Sequence, residues 1–191
     1  AYKMDGLGND FIIFDSSKKH ITLTKDQIIK ISDRKNIGCD QVIFIYKDEN
    51  DNTTLKFYNS DGGEISACGN GSRCVAYLLM NENKKTKISL QTKGGILQAE
   101  LKDKNLVSLN MGQPIFDSSL IPTYIESTKQ GVPFGKAQLG ESQFDIYAAS
   151  MGNPHLIIFH DSLLNVPIQE WGPILEKDSR FPNKTNVELV E

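Results

Sequence analysis

Cysteine and histidine are scarce in this chain, three of each among 191 residues, and their scarcity removes several kinds of protein at once. Cys39, Cys68 and Cys74 are too few for a disulfide-stapled scaffold, and their spacing matches no paired CxxC zinc pattern. His20, His155 and His160 are too scattered to complete a metal centre. No metal is expected. Long apolar runs are missing too: stretches such as 75–80 and 156–159 fall far short of the ~20 residues that span a bilayer. The opening Ala1-Tyr2-Lys3-Met4-Asp5 lacks the charged-then-apolar plan of a secretion signal, so the expected compartment is the cytoplasm. Nor is there a surplus of positive charge. With 21 Lys and Arg against 24 Asp and Glu, a formal charge of −3 offers no field for nucleic acid.

What is present is the composition of an ordinary globular protein, 39% hydrophobic and 24% charged, with length enough for one large domain or two small ones. Segments 11–14, 42–46 and 55–58 are rich in β-branched and aromatic residues and bounded by Gly, Asn and Asp, which predicts strands. Between the first two, Thr24 and Gln27 have the spacing of a capping box, and Ile28, Ile29 and Ile31 give the helix that follows an apolar face. A second helix is predicted after Gly71, with Cys74, Val75, Leu78 and Leu79 at helical spacing, so Cys74 reads as part of a buried stripe. Segments 87–91, 96–101 and 107–110 read as a strand meander with turns at Gly94-Gly95 and Asp103-Lys104-Asn105. Met111-Gly112-Gln113-Pro114 punctuates the chain and sets the expected domains at 1–113 and 114–191. In the second, strands are expected near 143–150 and 155–159, and a short helix over 171–176 with Pro173 near its first turn.

The most informative segment is Ser66-Ala67-Cys68-Gly69-Asn70-Gly71-Ser72-Arg73-Cys74. A thiol at the mouth of a helix faces unpaired backbone N–H groups and the positive end of the macrodipole, which favour its thiolate and let it act as a base. The flanking glycines leave room for a substrate carboxylate at the same N–H groups. The competing reading of Cys68 is a buried structural cysteine beside a tight turn. Asparagines in glycine-rich turns carry a similar ambiguity, since Asn tolerates the left-handed region and makes Asx-turns. For Arg73 the plainer reading is a solvated charge at the helix start. Gly6-Leu7-Gly8-Asn9-Asp10-Phe11 fails as a dinucleotide fingerprint: Phe11 takes the place of the third glycine, and a strand follows instead of a helix.

Five segments occur in a fixed order: Lys3 to Phe11, Gly38-Cys39-Asp40-Gln41, Asn59-Ser60-Asp61-Gly62, Ala67 to Gly71, and Met151-Gly152-Asn153-Pro154-His155, followed by Phe181-Pro182 and Thr185-Asn186-Val187-Glu188. Together they closely resemble the diaminopimelate epimerases, amino-acid epimerases of bacterial lysine and peptidoglycan biosynthesis. The resemblance covers nearly the whole chain. It implies an α+β fold of two pseudo-symmetric domains, each a mixed β-sheet wrapped around a central helix. It also implies a homodimer that interconverts LL- and meso-2,6-diaminopimelate without pyridoxal phosphate, metal or other cofactor, by proton exchange between two cysteines.

Cys68 matches the first of those cysteines. Asn9, Gln41, Asn59, Asn153 and Asn186 match the family's substrate-binding amides, and Gly69 and Asn70 its carboxylate cradle. His155 is a candidate for a supporting role, with a structural histidine at a strand start as the alternative. The family's second cysteine motif and its glutamate-arginine pair would fall beyond Thr185 to Glu188, and the sequence ends at Glu191. The expectation is therefore a truncated part of a longer enzyme, with its second domain incomplete and no turnover by itself. Alternatives are a relative on the same fold, such as a proline racemase or a phenazine-type isomerase, and an inactive amino-acid-binding fragment.

Overall fold

Leu7 and Gly8 hold φ angles of 54° and 86°, the left-handed pair of a two-residue hairpin turn. They fold β1 (Tyr2–Gly6) back along β2 (Asn9–Asp15) in antiparallel register. A left-handed leucine is uncommon, and this one is 85% exposed. The computed structural model describes residues 1–17 and 19–191. The chain divides into two compact units, Ala1–Gly112 and Gln113–Glu191.

In the first unit, β2 is joined by α1 (Lys25–Ser32) to the parallel strand β3 (Gln41–Lys47). The capping box at the start of α1 forms: Thr24 Oγ1 accepts from the Gln27 N–H, and Gln27 Oε1 accepts from the Thr24 N–H at 2.8 Å. β4 (Thr53–Asn59) runs antiparallel to β3 and pairs briefly with β5 (Glu64–Ile65). α2 (Gly69–Asn83) then crosses to β6 (Lys87–Thr92), which lies parallel to β4 and continues through hairpins to β7 (Gly95–Asp103) and β8 (Leu106–Asn110). The spatial order is β1-β2-β3-β4-β6-β7-β8.

The unbroken apolar runs of β2 and β3 follow from burial on both faces. Phe11, Ile13, Ile43 and Ile45 pack with Val75, Ala76, Leu79 and Met80 of α2. On the other face, Ile12, Val42 and Phe44 pack with Ile28 of α1 and with Cys39, which is 2% exposed. The sheet thus wraps around α2 as its central helix.

α2 begins at Gly69, earlier than a helix following Gly71 would. Gly71 lies inside its first turn because the helix sits directly on the sheet there: a Cβ at Gly71 would come within 2.6 Å of Ile43 Cδ1 and 3.3 Å of Phe11 Cε1. A larger residue there would have to displace these core side chains.

In the second unit, β9 (Thr128–Lys129), β10 (Val132–Leu139), β11 (Ser142–Ser150) and β12 (Pro154–Phe159) form an antiparallel series. α3 (Ile168–Glu176) leads to β13 (Asn186–Val190), which pairs parallel to β12. Ile146, Ala148, Leu156 and Ile158 form the core with Leu175 and Phe181, and Trp171 packs at a tilt against Phe144 with ring centroids 4.9 Å apart. α3 starts three residues before Trp171, so Pro173 is not in its first turn but inside the helix. The ring there removes one backbone donor from a short helix whose stability comes from packing. Both units combine parallel and antiparallel pairing with few helices, an α+β architecture.

Candidate active site

The register of the first sheet brings polar residues from distant parts of the chain to one end of it. Phe11 pairs with Gln41 and Gln41 with Asn59, so the starts of β2 and β3 and the end of β4 lie together. The first turn of α2 packs on the same end, through Gly71 against Phe11 and Ile43. Asn9, Gln41, Asn59, Cys68, Gly69 and Asn70 are thereby gathered in one unit.

Cys68 is the N-cap of α2, in extended conformation at φ −144° and ψ 115°, and its Sγ accepts the Gly71 N–H at 3.4 Å. No acidic side chain occupies the first turn, so the helix's positive end is offset only by this sulfur. Two neighbours keep the loop close-packed. A Cβ at Gly69 would lie 2.9 Å from Met111 Sδ, and one at Gly6 would lie 3.1 Å from Cys74 Sγ and 3.4 Å from the Asn70 carbonyl oxygen.

The electrostatics correct one expectation. Burial pushes the Cys68 thiol above its ordinary pKa, against the opposing pull of the Gly71 and Asn70 N–H groups and the Arg73 charge. The helix N-terminus acts in the expected direction, but desolvation outweighs it, so the resting group is a thiol.

Cys74, 5% exposed, is a core residue on the inner face of α2. Burial, with Asp5 adding to it, pushes its pKa up to about 11. A thiol kept neutral in the fold stabilises the protein fully below its unfolded pKa of about 8.5, and that contribution is lost as pH rises through the folded value. Between pH 7 and about 11 we expect an alkaline loss of about 3 kcal/mol from this residue. Urea unfolding at the two ends of that range should show a smaller difference for Cys74→Ala than for the unaltered chain; an equal difference would remove Cys74 as its source. Cys39 is also buried, with its Sγ 3.5 Å from Ser32 Oγ.

The amides form two couples. Gln41 Nε2 donates to Asn59 Oδ1 at 3.0 Å, while Gln41 Oε1 is buried with no hydrogen-bond partner. Such an acceptor calls for a donor from outside the described protein groups. Asn70 Nδ2 donates to Asn9 Oδ1 at 2.7 Å, and Asn9 Nδ2 to Asp40 Oδ2 at 3.3 Å. Arg73 is half-buried and donates to Asn70 Oδ1.

In the second unit, Asn153, His155 and Asn186 lie at one end of its sheet. His155 pairs with Asn186 across the parallel strands, and Asn186 Nδ2 donates to the Pro154 carbonyl at 3.0 Å. His155 bridges two groups, with Nδ1 2.9 Å from Glu188 Oε1 and Nε2 3.1 Å from Asn153 Oδ1. Sequence reasoning missed Glu188 as that partner, as well as Asp40 and the Asp10 ion pairs behind it. Only Arg73 left a local signal, the three-residue helical spacing from Asn70. Among the described residues no three His, Cys, Asp or Glu side chains are placed to hold a metal ion, and no helix is long and apolar enough to cross a membrane.

Solved structures share this fold. It superposes on a probable proline racemase from Agrobacterium radiobacter K84 with a TM-score of 0.58 at 11% identity, covering 97% of this chain and 63% of that one. A hydroxyproline epimerase from Agrobacterium vitis gives 0.51 at 14% identity, covering 82% and 50%. Sequence comparison is more specific, and the chain belongs to the diaminopimelate epimerase family. That family's profile matches residues 1–116. The diaminopimelate epimerases of Prochlorococcus marinus (strain NATL1A) and Pelagibacter ubique (strain HTCC1062) are each 41% identical, covering 99% and 100% of this chain and 70% of their own lengths.

Proposed function

We propose that the protein is an isomerase interconverting LL- and meso-diaminopimelate, with Cys68 as an acid–base group on one face of the α-carbon. The observation that supports it most is the placement of Cys68: a thiol capping α2 beside the first-turn N–H groups of Gly69 and Asn70, at the sheet end where Asn9, Gln41 and Asn59 gather. Inverting an α-carbon requires removing a proton from one face and returning one to the other. The protonated thiol delivers a proton in one direction, and its thiolate removes one in the reverse. Backbone N–H groups and the helix dipole, aimed at the α-carboxylate, stabilise the charge that develops as the α-proton leaves.

The amide set suits a zwitterion with amino and carboxyl groups at both ends, since each amide offers a donor and an acceptor. The buried, unpartnered Gln41 Oε1 is an acceptor for a substrate ammonium. Asn153 and Asn186 are proposed as further substrate ligands, and His155 as the group that orients Asn153 through its 3.1 Å contact. Independence from pyridoxal phosphate and metal, a homodimeric state, a cytoplasmic location and domains at 1–113 and 114–191 complete the proposal, all supported by the family resemblance.

The test is proton NMR of diaminopimelate in D2O. The enzyme carrying this sequence is expected to exchange the substrate's α-proton for deuterium without added cofactor and in the presence of a chelator. Activity that disappears on dialysis and returns only with pyridoxal phosphate or a metal would contradict the mechanism.

A further inference from the structure

Asp40 and Arg73 stand at opposite ends of a hydrogen-bonded string of amides, and the mechanism above uses neither. Arg73 donates to Asn70 Oδ1, Asn70 Nδ2 donates to Asn9 Oδ1 at 2.7 Å, and Asn9 Nδ2 donates to Asp40 Oδ2 at 3.3 Å. A guanidinium can only donate and an ionised carboxylate can only accept. The string therefore runs in one direction. An asparagine amide is nearly symmetric in shape, and turning both amides over would keep the bond between them. The reversal would, however, set an oxygen against Asp40 and an NH2 group against Arg73.

The direction decides what the amides can offer. With both carbonyl oxygens committed, each NH2 group keeps a second N–H with no partner among the described residues. Reversed, each amide would turn its oxygen toward the side where its NH2 group now lies, and an oxygen there repels a carboxylate. Asp40 is itself held in place: its Oδ1 accepts from Arg34 at 2.7 Å and its Oδ2 from the Asp10 N–H at 3.1 Å. Asp10 in turn takes both guanidinium nitrogens of Arg34, at 2.6 and 2.8 Å, and Lys3 Nζ at 2.7 Å.

We propose that Asp40 and Arg73 are positioning residues that lock Asn9 and Asn70 in one amide orientation, so that both turn N–H donors toward a carboxylate bound beside Cys68. The inference rests on reading the Cys68 loop as a carboxylate site, and the experiment separates the two.

Iodoacetate and iodoacetamide alkylate a thiolate by the same displacement, in which the S–C bond forms as iodide leaves, and they differ in carrying a carboxylate or a neutral amide. Their rate ratio at Cys68, read by peptide mass so that Cys39 and Cys74 do not contribute, measures carboxylate recognition without turnover. In the unaltered 191-residue chain the ratio should exceed that of an unstructured cysteine peptide. Asp40→Asn removes a negative charge, which by Coulomb's law alone would raise the ratio. Loss of the amide orientation lowers it instead, by roughly tenfold if one hydrogen bond to the anion is lost. Asp10→Asn removes more of the ion-pair network but touches neither amide, and is expected to lower Tm without lowering the ratio.

A ratio in Asp40→Asn equal to or above that of the unaltered chain would overturn the positioning role and leave the carboxylate site standing. No preference for iodoacetate in the unaltered chain would overturn the carboxylate site and the positioning role with it. If Asp40→Asn does not fold, side-chain amide NMR of the unaltered protein decides. One side-chain N–H of Asn9, held by Asp40, and one of Asn70, held by Asn9, should exchange slowly with solvent; exchange as fast as that of a solvated asparagine would overturn the proposal.

Discussion

Cys68→Ala, made in the enzyme that carries this sequence, is expected to lower deuterium exchange at the α-carbon of diaminopimelate by roughly 10²- to 10⁴-fold, the range that one positioned acid–base group supplies. The other cysteines provide the contrast. Cys74 packs against the sheet on the inner face of α2 and Cys39 lies under α1, so alanine at either is expected to leave most of the exchange intact. Cys74→Ala should cost about 1–2 kcal/mol of stability through the small cavity it leaves. Urea melts alongside the exchange assay separate the two kinds of loss. A folded Cys74→Ala as inactive as Cys68→Ala would show that the acid–base group had been assigned to the wrong thiol.

The second large effect concerns the 191 residues by themselves, which are expected to yield no meso product from LL-diaminopimelate. Reprotonation from the opposite face needs a second acid. Among the three cysteines only Cys68 is partly exposed at a helix start; Cys39 and Cys74 are both buried in the first unit's cores. Raising the thiolate fraction at Cys68 with pH does not help, because a single group returns a proton to the face it came from. Chiral chromatography after prolonged incubation, in a preparation free of host epimerase, is the measurement. Meso product above the no-protein control would require a single-base or water-mediated route and would remove the two-thiol mechanism.

Much of the first unit could be read from the sequence because its signals are local. The apolar runs at 11–14 and 42–46 declare strands buried on both faces, and the Thr24–Gln27 box fixes the start of α1 within a few residues. β10 was missed for a local reason as well. Pro133 and Gly135 interrupt its pattern, and Arg180 crosses at Gly135, where a Cβ would lie 2.9 Å from Nη1. β1 escaped because only Tyr2 and Met4 alternate with the charged Lys3 and Asp5, a pattern that suits an exposed edge and leaves a short apolar trace.

In the site, the sequence singled out Cys68 and the surrounding amides as candidates, but not the direction in which burial moves the thiol's pKa. That sign depends on how much protein covers the sulfur, a tertiary quantity, while the helix start that opposes it is visible in the motif. Asp40's role was hidden for a similar reason: Asn9 and Asp40 are 31 residues apart and meet only through the parallel pairing of β2 and β3.

The sulfur that caps α2 is the same atom proposed to exchange protons with substrate, and this links the two equilibria. A thiolate accepts the Gly71 N–H more strongly than a thiol does, so each proton arriving at Cys68 loosens the first turn of α2 and each departure tightens it. By reciprocity, whatever steadies that turn also makes the sulfur a stronger acid. Gly71, pressed onto Ile43 and Phe11, is such a brace. The packing of an apolar sheet end thereby sets part of the driving force for a proton transfer at the helix start.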